Sequence, residues 1–251
     1  MLKPPELTGN GASLATSLFP LVISDLTFGS RERTLIDNLT MTLDGRGITA
    51  VMGANGAGKS LLLRLLHGLL TPTSGTINWN GQQLDDDIRA RQAMVFQRPT
   101  MLRRSAADNL AFALQGLPRS KRKHRVEELI TEAKLEHAAL TPARLLSGGE
   151  QQRLAIARAR ASEPELLFLD EPAASLDPIA THAVEDFVRD IHHDGIKVIL
   201  VTHDVGQAKR LADDVLFLHR GRVIEQAPAE EFFKRPTSAA ARAYLDGQLA
   251  I

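Results

Sequence analysis

The sequence predicts an α/β fold with a parallel sheet, and three observations carry that prediction. First, the eight residues GANGAGKS, from Gly53 to Ser60, follow a strand-like run (Ile48 to Met52) and open a strongly helical one. Second, ELLFLDEP and KVILVTHD are continuous apolar runs that end in polar residues, as strands buried on both faces of a parallel sheet do. Third, the segment between them, THAVEDFVRDIHHDG, reads as a helix that stops at Gly195, which completes a strand–helix–strand unit.

The elements follow in order. Residues 1–19 are rich in Pro, Gly, Ser and Thr and read as a flexible tail. From LVISDLTF to ITAVMG, short β-type runs alternate with turn residues such as Asp44-Gly45 and Arg46-Gly47. TSGTINWNGQQL reads as a hairpin turning at Asn80-Gly81. From about Pro99 to Ser162 the pattern turns helical. There Val126, Leu129, Ile130 and Ala133 keep the spacing of one helix face. Glu230 to Leu249 is helix-like again.

Composition narrows the function classes. The 251 residues suit one large α/β unit, and 43% hydrophobic content supplies its core. Basic and acidic residues number 30 each and cancel, so overall charge gives no sign of a nucleic-acid partner. There is no cysteine, which removes disulfide and thiolate chemistry. No apolar run approaches the ~18 residues of a membrane span; the run after Ser60 is broken by Arg64 and His67. A cytoplasmic location is expected, with recruitment to any membrane through another protein.

GANGAGKS fits G-x-x-x-x-G-K-[ST]. Glycines let backbone amides turn toward phosphate oxygens, Lys59 brings a positive charge, and Ser60 can ligate Mg²⁺. Four fixed positions recur by chance in roughly one chain in a hundred at ordinary residue frequencies. The strand before and the helix after therefore carry the inference, and that helix adds its N-terminal dipole. Asp170 closes an apolar strand, where a carboxylate helps to hold Mg²⁺. Glu171 beside it can act as general base.

Three further features each have a bland reading. Ser147, with Glu150 three residues on, is a capping box. Yet Gly148 and Gly149 are costly at a helix start unless something approaches the backbone, and a phosphate is one candidate. His203 follows the strand VILV at the sheet edge where ligands sit, though a lone histidine there is more often structural. Gln97, in MVFQRP, carries no signal alone. RSKRKHR (119–125) lacks interleaved aromatics and reads as a solvated helix face. His192 and His193 point apart on a helix and do not make a metal site.

Taken together these residues resemble the ATP-binding subunit of ABC transporters, from about Leu21 to Leu249. GANGAGKS is similar to the Walker A motif, LLFLDEP to Walker B and LSGGEQQR to the signature sequence. Gln97 matches the Q-loop, SLDP the D-loop, and His203 the switch histidine. The resemblance implies a P-loop NTPase (RecA-like) core with an antiparallel β subdomain and an inserted helical subdomain at about 98–163, all within 20–251.

It also implies ATP and Mg²⁺ as ligands. ATP would be held by Phe28, stacked on adenine, and by Gly53, Ala54, Asn55, Gly56, Ala57, Gly58, Lys59, Ser60 and Leu61. Mg²⁺ would meet Ser60, Gln97 and Asp170, with Glu171 and His203 catalytic. A head-to-tail homodimer would bring Ser147, Gly148, Gly149 and Gln151 of one copy to the ATP of the other, beside Asp177 of the D-loop. The implied partners are membrane permease subunits and, through them, a periplasmic binding protein, with no nucleic acid. The implied location is the cytoplasmic side of the inner membrane.

Three positions depart from the common pattern: Phe28 stands for Tyr, the D-loop reads AASLDP, and Leu61 replaces a Thr. GKSLLLRLLHGL and RQAMVFQRPTMLRRS look most like the ATPase subunits of tungstate importers. Competing readings are an importer of molybdate, phosphate or amino acids, and a soluble ABC-type ATPase. A small-molecule kinase has no use for LSGGEQQR.

Overall fold

The computed structural model describes residues 17–30 and 32–248. Two sheets organise it. The smaller is antiparallel, in the order β2-β1-β4-β5. It is built from β1 (Leu21–Gly29), β2 (Thr34–Leu43), β4 (Ser74–Trp79) and β5 (Gln82–Gln83). Apolar alternation turns Leu21, Ile23 and Leu26 of β1, with Leu39, Met41 and Leu43 of β2, into one core face. The expected turn joins β4 to β5, with φ of 48° at Asn80 and 80° at Gly81, the pair of positive values that a two-residue hairpin needs.

The larger sheet contains β3 (Ile48–Met52), β6 (Gln92–Val95), β7 (Leu166–Asp170) and β8 (Lys197–Val201). It is completed by β9 (Asp214–His219) and β10 (Arg222–Pro228), in the order β10-β9-β3-β8-β7-β6. All neighbours are parallel except β9 and β10. Every residue of β3, β7 and β8 is buried, which explains their unbroken apolar runs. Side-chain alternation splits these strands between two cores. Leu167, Leu169, Val198 and Leu200 join the one built with the helices. Leu166, Phe168, Ile199 and Val201 face the small sheet.

Helix α1 (Lys59–Leu66) leaves β3 through the glycine loop, and α2 (Asp86–Ala90) precedes β6. Three helices, α3 (Ala106–Ala113), α4 (Arg119–Glu132) and α5 (Gly148–Arg160), interrupt the chain between the paired strands β6 and β7. Val126, Leu129, Ile130 and Ala133 are buried among them. Helices α6 (Pro178–His193) and α7 (Val205–Leu211) flank β8. The architecture is thus the α/β P-loop NTPase fold, with an antiparallel sheet and helical parts. No described helix is long and apolar enough to cross a membrane.

One expectation needs correction. Of the expected tail, residues 1–16 lie outside the described residues, but residues 17–19 are ordered parts of the fold. Leu18 is buried and its amide donates to Glu165 Oε2, while Phe19 packs edge-on against Trp79. Local composition did not reveal this, because the partners are distant in sequence. The helix-like C-terminal stretch forms two helices, α8 (Ala229–Lys234) and α9 (Ala239–Leu245). Pro236 lacks the amide a continuous helix would use. The buried Glu225 carboxylate takes the amides of Thr237 and Ser238 instead, at 2.8 and 2.9 Å.

The basic cluster at the start of α4 is held largely within its own surroundings. Arg125 bonds Glu128 and Glu132, His124 meets Glu128, Lys123 meets Glu127, and Arg122 caps the carbonyls of Gln115 and Leu117. Cations paired in this way offer little to a phosphate backbone.

Candidate nucleotide site

The glycine loop turns sharply out of β3. At Gly53 φ is 145°, and a Cβ there would stand 2.1 Å from the Leu218 carbonyl oxygen, so only glycine lets the loop cross β9 this closely. Gly58 caps α1 at a left-handed φ of 104°. Between them Ala57 is buried, donating its amide to Ala54 O at 3.1 Å and accepting from Gly221 at 3.0 Å. Those two bonds fix the curl of the loop.

Lys59 folds back into that curl. Its Nζ donates to the carbonyls of Gly53 at 2.8 Å and Ala54 at 3.1 Å. Burial lowers its pKa, while the nearby carboxylates Glu171 and Asp170 oppose the shift. A desolvated ammonium on neutral carbonyls is one that an incoming phosphate would stabilise further.

The carboxylate edge faces the loop across the ends of β7 and β8. Ser60 Oγ donates to Asp170 Oδ1 at 2.7 Å. Burial raises the Asp170 pKa, against the Ser60 hydrogen bond and the charge of Arg64. Glu171 sits in a left-handed conformation (φ 49°), its amide bonded to Val201 O at 3.0 Å. That places its side chain over the loop. Gln97 Nε2 donates to Glu171 Oε2 at 3.2 Å, and His203 Nδ1 lies 3.2 Å from Oε1. Each Glu171 oxygen therefore meets a side chain that follows a different strand, β6 or β8, on either side of β7.

Together these residues frame an open cavity of about 580 Å³. Asn55, Gly56, Gly58, Lys59, Ser60 and Leu61 line one side; Gln97, Glu171 and His203 line the other. Gly53, Ala54 and Ala57 shape the loop without lining the cavity. Phe28, expected to stack on adenine, is half-buried against the core of the small sheet and does not line the cavity. Arg33 and Leu35 line it instead, and the sequence reading missed both. One signal was available: Leu35 is an apolar residue out of phase with the buried face of β2, which begins at Ile36.

The donor set at Ser60 and Asp170 is oxygen throughout, and Gln97 adds a carboxamide. Among the described residues no group of three His, Cys, Asp or Glu could hold a metal alone. Mg²⁺ suits such a sparse oxygen set, because it keeps several waters and shares substrate phosphates.

Ser147, Gly148, Gly149, Gln151 and Asp177 do not line this cavity. Ser147 caps α5 in a full capping box with Glu150. Gly149 has a reason within the chain, because a Cβ there would come within 2.7 Å of Ala180 Cβ and push α5 off α6. Gln151 Nε2 donates to the Leu146 carbonyl at 2.9 Å. Asp177 caps α6, accepting from Ala180 N at 2.8 Å.

The hydrogen bond from the Ser147 hydroxyl, aided by that from the Ser147 amide, lowers the Glu150 pKa to about 2. A depressed carboxylate stabilises the fold fully above its ordinary value of 4.5, and that stability is lost as pH falls toward 2. Ser147→Ala should cost ~1 kcal/mol at neutral pH. The loss should shrink as pH falls through that window, which thermal melts of both proteins across pH will show.

Similarity to known proteins agrees with this geometry. Residues 36–174 match the family model described as ABC transporter. The chain is 37% identical over 240 residues to the phosphate import ATP-binding protein PstB of Thermotoga maritima, covering 87% of this chain and 94% of that protein. It is 39% identical over 229 residues to the methionine import ATP-binding protein MetN of Nocardia farcinica, covering 87% and 69%. Among solved structures, cbiO1 from Clostridium perfringens, part of the ABC transporter complex cbiONQ, superposes with a TM-score of 0.79. Its identity is 29%, over 86% of this chain and 91% of that one. A bacterial Atm1-family ABC exporter with ATP bound also reaches 0.79, at 25% identity over 92% of this chain and 42% of that one. The glycine loop, the paired carboxylates and these relatives lead to one conclusion: the chain belongs to the ABC transporter family and is an ATP-binding subunit that hydrolyses ATP.

Proposed function

We propose that residues 20–251 form one ATPase unit, with about 98–163 as its inserted helical part, and that it drives import of a small oxyanion. The observation that carries the mechanism is the bridging of Glu171 by Gln97 and His203 above the Lys59 loop. In this reading the loop amides and Lys59 hold the phosphates, with Lys59 exchanging its two carbonyl partners for phosphate oxygen. Glu171 takes a proton from the attacking water as the new P–O bond forms and the bond to the bridging oxygen breaks, giving ADP and phosphate. His203 orients that water. Mg²⁺, when bound, neutralises phosphate charge; Ser60, Asp170 and Gln97 are the residues for it.

Ser147 and Gly149 have no place at their own chain's cavity, which supports a head-to-tail homodimer in which a second copy supplies them, with Gln151 and Gly148 alongside and Asp177 between. To face a phosphate, the Ser147 hydroxyl has only to rotate away from Glu150. The unit works at the cytoplasmic face of the inner membrane on permease subunits that a periplasmic binding protein supplies. The import proteins PstB and MetN among its relatives support this direction of transport.

The relatives divide between phosphate and methionine as named cargo. Tungstate is a tetrahedral dianion like phosphate, and the two segments resembling tungstate importers favour it as the cargo of this chain. The test is the reconstituted transporter: ATP hydrolysis should rise with the tungstate-loaded binding protein. Stimulation by a methionine- or phosphate-loaded protein alone would overturn the cargo assignment. Absence of hydrolysis with the permease present would overturn the whole reading.

Leu61 lines the cavity where the common pattern has a hydroxyl. One neutral hydrogen bond is worth about 0.5–1.5 kcal/mol net. Leu61→Thr should therefore tighten ATP binding by no more than about tenfold, measured as the dissociation constant of a fluorescent ATP analogue.

A further inference from the structure

The C-terminal helix α9 reaches the hydrolytic edge through one side chain. Tyr244 is the only tyrosine in the chain, and its hydroxyl donates to the carbonyl oxygen of His203 at 3.0 Å. Gly53 and His203 follow the neighbouring strands β3 and β8, so this hydroxyl holds the peptide of the histidine that meets Glu171, one strand away from the start of the phosphate loop.

The mount for this hydroxyl is firm. The ring packs against Phe217 of β9 with centroids 5.3 Å apart, and Ala241, one turn earlier, is fully buried. Glu225 and the Ser238 cap fix the start of α9. Burial, with Glu171 and Asp204 nearby, raises the pKa of the phenol, which keeps it a donor. The residues on either side of His203 are tied by short-range bonds: Asp204 N donates to Thr202 Oγ1 at 3.0 Å, and Gln207 N to Asp204 Oδ1 at 3.0 Å. The His203 carbonyl is held from α9.

We propose that Tyr244 is a positioning residue for ATP hydrolysis, setting the orientation of the His203 peptide, and so of its ring against Glu171, from the C-terminal helix. The proposal rests on the roles given above to Glu171 and His203. It makes α9, which contributes nothing to the cavity lining, part of the working site.

The test is steady-state hydrolysis by the full chain carrying Tyr244→Phe, beside wild type and His203→Ala. Phenylalanine keeps the ring packing and removes one oxygen. The expected result is a kcat about five- to tenfold lower, in proportion to one hydrogen bond, with KM for ATP within about twofold of wild type. A kcat unchanged at saturating ATP, while His203→Ala is impaired, overturns the proposal and leaves the site reading intact; a lowered melting temperature beside that unchanged kcat marks a structural role only. If His203→Ala hydrolyses ATP like wild type, the role of His203 fails and the proposal fails with it.

Discussion

Glu171→Gln should lower hydrolysis by about 10²–10⁴-fold, the range for removing a general base, while leaving ATP binding in place. The substitution keeps the side chain's shape and its two neighbours, because a carboxamide can still meet Gln97 and His203. It cannot accept a proton from water. The groups proposed to hold the phosphates, Lys59, Ser60 and the loop amides, are untouched, so nucleotide should enter and stay. If a second copy completes the site, the arrested protein should accumulate as an ATP-dependent dimer, seen by size-exclusion chromatography with and without ATP. Hydrolysis at the wild-type rate would remove Glu171 from the base role. A monomer that holds ATP without turning it over would instead count against the shared site.

The phosphate loop, Asp170, Glu171 and His203 were legible because their signals are local. Each sits at the end of an apolar strand, and strand ends in a parallel sheet converge on one edge. The residues that escaped reading arrive from elsewhere in the chain. Arg33 and Leu35 reach the cavity because the small sheet docks on the β9–β10 ribbon, through Asp37 N to Gly221 O at 3.0 Å and the Arg222–Asp37 ion pair at 2.6 Å. Neither tie leaves a pattern in the sequence around residue 35. Leu18 escaped for the same reason, its partner Glu165 lying 147 positions away. At Gly149 the sequence signalled a close approach without naming the neighbour: its lack of a side chain is needed by Ala180 of the same chain, whether or not a phosphate also approaches.

The largest stability effect should come from a pair that does not line the cavity. Glu185, on α6, is fully buried, and Arg210, on α7, grips both its oxygens, through Nε at 2.8 Å and NH2 at 2.7 Å. The helices so joined are capped by Asp177 and by Asp204, the residue after His203, so the clasp sets the spacing of these two helix starts. Arg210→Met removes the only bidentate partner, among the described residues, of a carboxylate with no access to water. His182 at 3.5 Å and Arg189 at 4.0 Å remain, but both lie on α6 itself and neither reproduces the fork. Breaking a buried pair in this way costs ~3 kcal/mol or more. For a chain of this size that is a fall of roughly 6–12 °C in melting temperature. The reverse variant, Glu185→Met, should cost less, because Arg210 is 39% exposed and can turn to solvent. The double variant should recover most of the loss, since it also removes the buried carboxylate that Arg210→Met leaves without its fork. Melts of the four proteins form a complete cycle. Equal loss in Arg210→Met and the double variant would mean that packing of the arginine stem, rather than the buried charge, holds α6 to α7.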